Sequence, residues 1–149
     1  MLIREVMTES VVTAEPQQSV RAVAEIMRDR NVGSVVLVAG GRPVGFLTDR
    51  DLTLSVLADG RDAAGPAGDH ASSPVITADP EMEIEEGAEL MIRHGVRRLV
   101  VVDGDRLCGV VTLDDLASRT GEVGLASRLS ARVTRASMPD YFFHERGGG

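Results

Sequence analysis

The chain has 149 residues, enough for one ordinary core or for two half-sized units sharing one, and its single cysteine, Cys108, has no partner for an internal disulfide. At 43% hydrophobic and 26% charged residues it reads as globular; no apolar run approaches the 18 or so positions of a membrane span, and the N-terminus shows no secretory stretch, which predicts a cytoplasmic address with no membrane partner. A net charge of −7 argues against nucleic acid, and the 16 basic residues are all arginine, which excludes a Walker-A lysine, a lysine Schiff base and a lysine general base.

In chain order, residues 11–13 form a short extended piece ahead of Pro16, because proline biases its predecessor away from helix. Val20, Val23, Ala24 and Met27 then recur at i, i+3, i+4, i+7 and predict an amphipathic helix. Asn31, a residue type that tolerates the left-handed conformation, closes it. Two short β-rich runs, 34–38 and 43–48, flank a hairpin turn at Ala39-Gly40-Gly41-Arg42, and a second helix opens at Thr48. Glycine, proline and small or acidic residues between 58 and 74 predict a linker or surface excursion without identifiable chemistry.

The same elements return 64 residues later: 75–77 extended, a helix through Ile84, Gly87, Ala88 and Met91 closed by Gly95, runs 98–102 and 107–112 around Asp103-Gly104-Asp105-Arg106, and a helix from Thr112. From 11 to 52 the ungapped self-alignment carries 16 identities in 42 positions. The expected organisation is a first repeat over 1–58, a linker over 59–74, a second repeat over 75–120, and a C-terminal helix with an aromatic tail over 121–149. Each repeat has one apolar sheet face and too little mass to cover it, so the fold expected is α/β (α+β), two β-α-β-β-α repeats packed sheet to sheet with pseudo-twofold symmetry. Three of the four aromatic residues, Tyr141, Phe142 and Phe143, fall in the tail, which is expected to fold back on its own module, to dock on a second subunit or to meet an unknown partner.

Chemistry concentrates where the last strand of each repeat meets its helix. Gly45-Phe46-Leu47-Thr48-Asp49-Arg50-Asp51 and Gly109-Val110-Val111-Thr112-Leu113-Asp114-Asp115 share a Gly-h-h-Thr-x-x-Asp pattern, h being apolar. A helix start offers unpaired N–H groups and positive dipole to a phosphate, with Thr48 and Thr112 adding a hydroxyl. Gly45 and Gly109, lacking a Cβ, admit a close neighbour, and Asp51 and Asp115 suit the paired hydroxyls of a ribose. Val12-Thr13 and Ile76-Thr77, at the start of each copy, could offer backbone groups to a ligand seated at these corners. Thr-x-x-Asp is equally the pattern of a capping box, which needs no ligand. His70, His94 and His144 lack ligand spacing, and no nucleophile–base–orienter set argues for an enzyme.

The duplicated motif, with Val-[Val/Ile]-Thr-Ala opening each copy, resembles a tandem pair of cystathionine-β-synthase (CBS) domains, a Bateman module of the stand-alone bacterial type, over roughly residues 3–120. The resemblance implies a regulatory sensor of AMP, ADP, ATP or S-adenosylmethionine, with the ligand in clefts between the repeats. It places the ribose carboxylate at Asp51 and Asp115 and the phosphate-side hydroxyl at Thr48 and Thr112, and implies a homodimer acting on a regulated protein. The alternatives are a structural interaction module with vestigial clefts and the separately encoded regulatory subunit of an enzyme or transporter. Within the motifs Arg50 is replaced by Asp114, a change worth about 2–3 kcal/mol per charge at about 6 Å before screening. Counted on the motifs alone, the second site disfavours polyphosphates unless Mg²⁺, Arg97, Arg98 or a partner subunit compensates.

Overall fold

A computed structural model supplies the fold and describes residues 1–119 together with 127, 131 and 132. The expected C-terminal helix and aromatic tail therefore lie, apart from those three positions, outside the described residues. Two three-stranded sheets with helices make up the mixed α/β architecture. In the first sheet β1 (Thr13–Ala14) runs parallel to β2 (Ser34–Ala39), and β2 pairs antiparallel with β3 (Arg42–Thr48). In the second, β4 (Thr77–Ala78) runs parallel to β5 (Arg98–Asp103), with β6 (Arg106–Thr112) beyond it.

Periodicity places the long helices well. Here α2 is Val20–Arg30 and α4 is Ile84–His94, each buried along its apolar stripe. Both end in a left-handed residue, Asn31 at φ 53° and Gly95 at φ 62°, whose amides return to carbonyls of the last turn. The β2–β3 hairpin turns through Gly40 and Gly41 at φ 59° and 78°, a two-residue turn that matches strand twist and demands positive φ at both positions. Val35, Val36 and Leu37 are all buried, as are Leu99, Val100 and Val101, so both faces of each central strand are covered.

The chain divides into two compact units that cut across the sequence repeats. One, the Thr112 unit, joins Met1–Thr8 to Ile76–Val101 and the described residues from Val110 onward; the other, the Thr48 unit, comprises Glu9–Val75 and Val102–Gly109. Each unit is completed by a leading segment that the periodicity reading does not mark. In the Thr112 unit this is residues 1–8, with a four-residue helix α1 (Ile3–Val6). The Ile3 and Arg4 amides donate to the Met82 and Pro80 carbonyls at 2.8 and 3.0 Å, Ile84 donates to Met1 at 3.0 Å, and Thr8 exchanges two hydrogen bonds with Val110. In the Thr48 unit, residues 65–72 do the same with a 3₁₀ turn, Ala67–His70. There Ala67 donates to Gln18 at 2.8 Å, Gly68 to Pro16 at 2.9 Å and Val20 to Gly65 at 2.9 Å, and Ser72 exchanges two bonds with Phe46.

The stretch expected to be a linker or excursion is thus partly structural. Its end supplies the fully buried Ala67 to a core of Ala14, Val23, Met27, Val35, Leu37 and Leu47. The physical reason is that backbone pairing and one small side chain suffice to dock it, and neither leaves a hydrophobic period in the sequence.

Candidate functional site

Both Thr-x-x-Asp motifs fold as reciprocal capping boxes. Thr48 caps α3 (Asp49–Leu52): its amide donates to Asp51 Oδ2 at 2.9 Å, and the Asp51 amide donates to Thr48 Oγ1 at 3.1 Å. Beyond α3 the helix continues in π-helical form over Thr53–Ala58. Thr112, ahead of α5 (Leu113–Arg119), repeats the geometry with Asp115 at 2.8 and 3.1 Å. All four side chains are half-buried. Among the described residues each hydroxyl is spent only as an acceptor in the box and keeps its proton to donate, and each carboxylate keeps Oδ1 for an incoming hydroxyl. Capping and ligand binding are compatible here.

Strand register sorts the other expected site residues. Ser34 pairs with Thr48, so the motif sits at the start of β2; the Val12 carbonyl nearby accepts the Val36 amide at 3.0 Å, as the Ile76 carbonyl accepts that of Val100 at 3.1 Å. Thr13 and Thr77 are exposed opposite Val36 and Val100, further along their sheets. Gly45 lies opposite Leu37, and the neighbour it admits is protein: a Cβ there would stand 3.1 Å from the Ala71 Cβ. Gly109 is buried in β6, and Cys108 beside it is half-buried. A cavity of about 530 Å³ opens at the far end of β1 and β2, between Thr13, Glu15 and Gln18 on one side and Val38, Gly40 and Gly41 on the other. Of the expected site residues only Thr13 borders it.

The charge around the two motifs differs from a count along the motifs alone. The Asp49 amide donates to the Gly33 carbonyl, and the Leu113 amide to the Arg97 carbonyl, both at 2.9 Å. Gly33 and Arg97 are therefore equivalent neighbours of the helix starts. Beside Gly33 the Asp49 carboxylate folds in, its Oδ2 3.3 Å from where a Cβ would be and its Oδ1 accepting the Arg50 amide at 2.8 Å. At the second motif Asp49 is replaced by Leu113, Gly33 by Arg97 and Ser34 by Arg98. With those positions included, the second motif carries one more positive charge than the first, reversing the sign of the motif-only count. The sequence offers Arg97 and Arg98 as possible compensation at the second site, and strand register gives Arg97 its place: 15 residues from Thr112 in the chain, its backbone is adjacent in the fold.

Among the described residues no polar or charged side chain is buried, and no three His, Cys, Asp or Glu groups gather in a way that could hold a metal. Ser55 Oγ and His70 Nδ1 lie 2.5 Å apart, a hydroxyl–imidazole pair whose ring nothing described orients through its other nitrogen. His70 occupies the place that Val6 takes in the Thr112 unit, and the pair fastens the leading segment to the π-helical turn. No helix among the described residues is long and apolar enough to cross a membrane.

Strand, helix and a capped Gly-h-h-Thr-x-x-Asp corner thus occur twice in the chain. The family model for the CBS domain matches residues 3–58 and again 67–121, and the chain belongs to the CBS-domain family. It is 38% identical over 115 residues to a CBS domain-containing protein of Bacillus subtilis, YhcV, covering 77% of this chain and 82% of that one. Hypoxic response protein 1 of Mycobacterium tuberculosis is 31% identical over 130 residues, 86% of this chain and 91% of that one. The solved structure of the latter, described with two coordinated zinc ions, superposes with a TM-score of 0.71 over 80% of this chain and 98% of that one. A CBS domain protein from Pyrobaculum aerophilum complexed with AMP superposes with a TM-score of 0.73 at 31% identity, over 88% of this chain and 99% of that one.

Proposed function

We propose that the chain is a regulatory module, not an enzyme, that binds an adenine nucleotide at its two capped corners and passes their occupancy to a partner protein through a homodimer. The observation that carries this reading is the doubled corner itself: at Thr48/Asp51 and at Thr112/Asp115 a hydroxyl proton and a carboxylate oxygen are left unspent beside a helix start. The AMP complex of the relative from Pyrobaculum aerophilum supports adenine nucleotide as the ligand class. By formal charge on the residues at the two helix starts, the Thr112/Asp115 corner is less anionic than the Thr48/Asp51 corner and is the better acceptor of phosphate. The Thr48/Asp51 corner, with Asp49 folded against Gly33, favours the less anionic members of the class, adenosine-like or sulfonium-bearing.

Thermal unfolding of the full chain with AMP, ATP, S-adenosylmethionine and adenosine tests it, with and without Mg²⁺. A ligand that binds only the folded state adds about 2.7 kcal/mol at 100 times its dissociation constant, and the midpoint must rise. Asp115→Asn should remove most of the AMP-dependent rise while costing the fold about 1 kcal/mol or less. Since the boxes satisfy Thr and Asp without any ligand, a chain that none of these compounds stabilises would be a structural module whose motifs only cap helices.

A further inference from the structure

The two leading segments dock through the same backbone hydrogen bonds, so the backbone cannot tell the segments apart. Side chains at one contact can. In the Thr112 unit the segment presents Ile3, fully buried, and the helix beneath presents Gly87: a Cβ on Gly87 would stand 2.7 Å from Ile3 Cδ1, so the end of that side chain would have to move. In the Thr48 unit the equivalent positions are Ala67 and Val23, both fully buried in one cluster. Large on small in one unit is small on large in the other. Glycine is the poorest non-proline residue for a helix interior, yet Gly87 is the fourth of eleven residues in α4, so local helix preference does not account for it.

We propose that Ile3/Gly87 and Ala67/Val23 form a size code that assigns each leading segment to its own helix, against exchange within the chain or between copies of it. An isoleucine laid over a valine helix would overpack, and an alanine laid over a glycine helix would leave a void. The docked state is therefore specified twice, by clash on one side and by cavity on the other.

Amide hydrogen exchange by NMR on the full chain reads docking segment by segment, through the Ile3, Arg4 and Thr8 amides for one and the Ala67, Gly68 and Ser72 amides for the other. Gly87→Val, or the milder Gly87→Ala should the first not fold, is expected to speed exchange of the first set about tenfold or more relative to the second. Adding Ile3→Ala to Gly87→Val should restore the first set. It also makes both contacts alanine on valine, and once Ser55→Ala removes the hydroxyl that holds His70, a second set of resonances should appear for Thr8 and Ser72 as segments exchange places. Three results would overturn the proposal: both sets accelerating alike in Gly87→Val, no rescue by Ile3→Ala (including a double variant that does not fold), or a rescued chain with Ser55→Ala that keeps one resonance per amide.

Discussion

Set side by side, the Thr48 and Thr112 units agree in their docking hydrogen bonds to within 0.1 Å, although their leading segments, 2–8 and 66–72, have no identical residue when shifted by 64. Agreement persists where backbone pairs with backbone, and divergence collects where side chains meet: Ile3 over Gly87 against Ala67 over Val23, His70 with Ser55 against Val6, Arg97 against Gly33. A duplicated unit of this kind keeps its skeleton and varies its contacts, so the two copies can hold equivalent corners of different charge.

The two units should differ most at the deepest of those contacts. Ile3→Ala removes a fully buried side chain over a glycine that cannot fill the space, and should cost about 2–5 kcal/mol in urea unfolding; Ala67→Gly, at the matching position, should cost about 1 kcal/mol. Equal losses would mean that the two segments are not doing different packing jobs. A smaller effect is expected in β3, where Gly45→Ala brings a methyl to 3.1 Å from the Ala71 Cβ. The neighbour must give, at about 1–3 kcal/mol, and Ala71→Gly should recover most of it. Recovery by Ala71→Gly would tie Gly45 to segment docking, whereas a Gly45→Ala chain of unchanged stability that loses nucleotide binding would tie it to the ligand. The smallest difference lies at the helix ends: Asn31→Gly should change stability by a few tenths of a kcal/mol, and Gly95→Ala should lose about 1 kcal/mol, since alanine resists the left-handed conformation that both positions adopt.

Much of this was legible in the sequence, for identifiable reasons. The helices α2 and α4, their left-handed closures and the hairpin turns each leave a local signature, either a 3.6-residue period or a residue type tied to positive φ. The capping boxes were legible as a pattern, though only geometry shows that they leave a hydroxyl proton and a carboxylate oxygen unspent. The leading segments were not legible: a four-residue helix and a 3₁₀ turn are shorter than the window periodicity needs, and backbone hydrogen bonds have no residue signature. The short strands were expected at 11–13 and 75–77 and lie at Thr13–Ala14 and Thr77–Ala78, a shift set by pairing with Val36 and Val100. Arg97 was visible as a charge, but its place beside Leu113 depends on strand register, which no local pattern encodes.

The most direct measurement is an AMP titration of the isotope-labelled full chain followed by amide resonances. Leu113, Asp114 and Asp115 should move first, Asp49, Arg50 and Asp51 should follow only at higher concentration, and Arg97→Ala should remove the gap between them. Movement confined to Gly40 and Gly41 at the far cavity, or no movement at any concentration that stabilises a CBS relative, would contradict it.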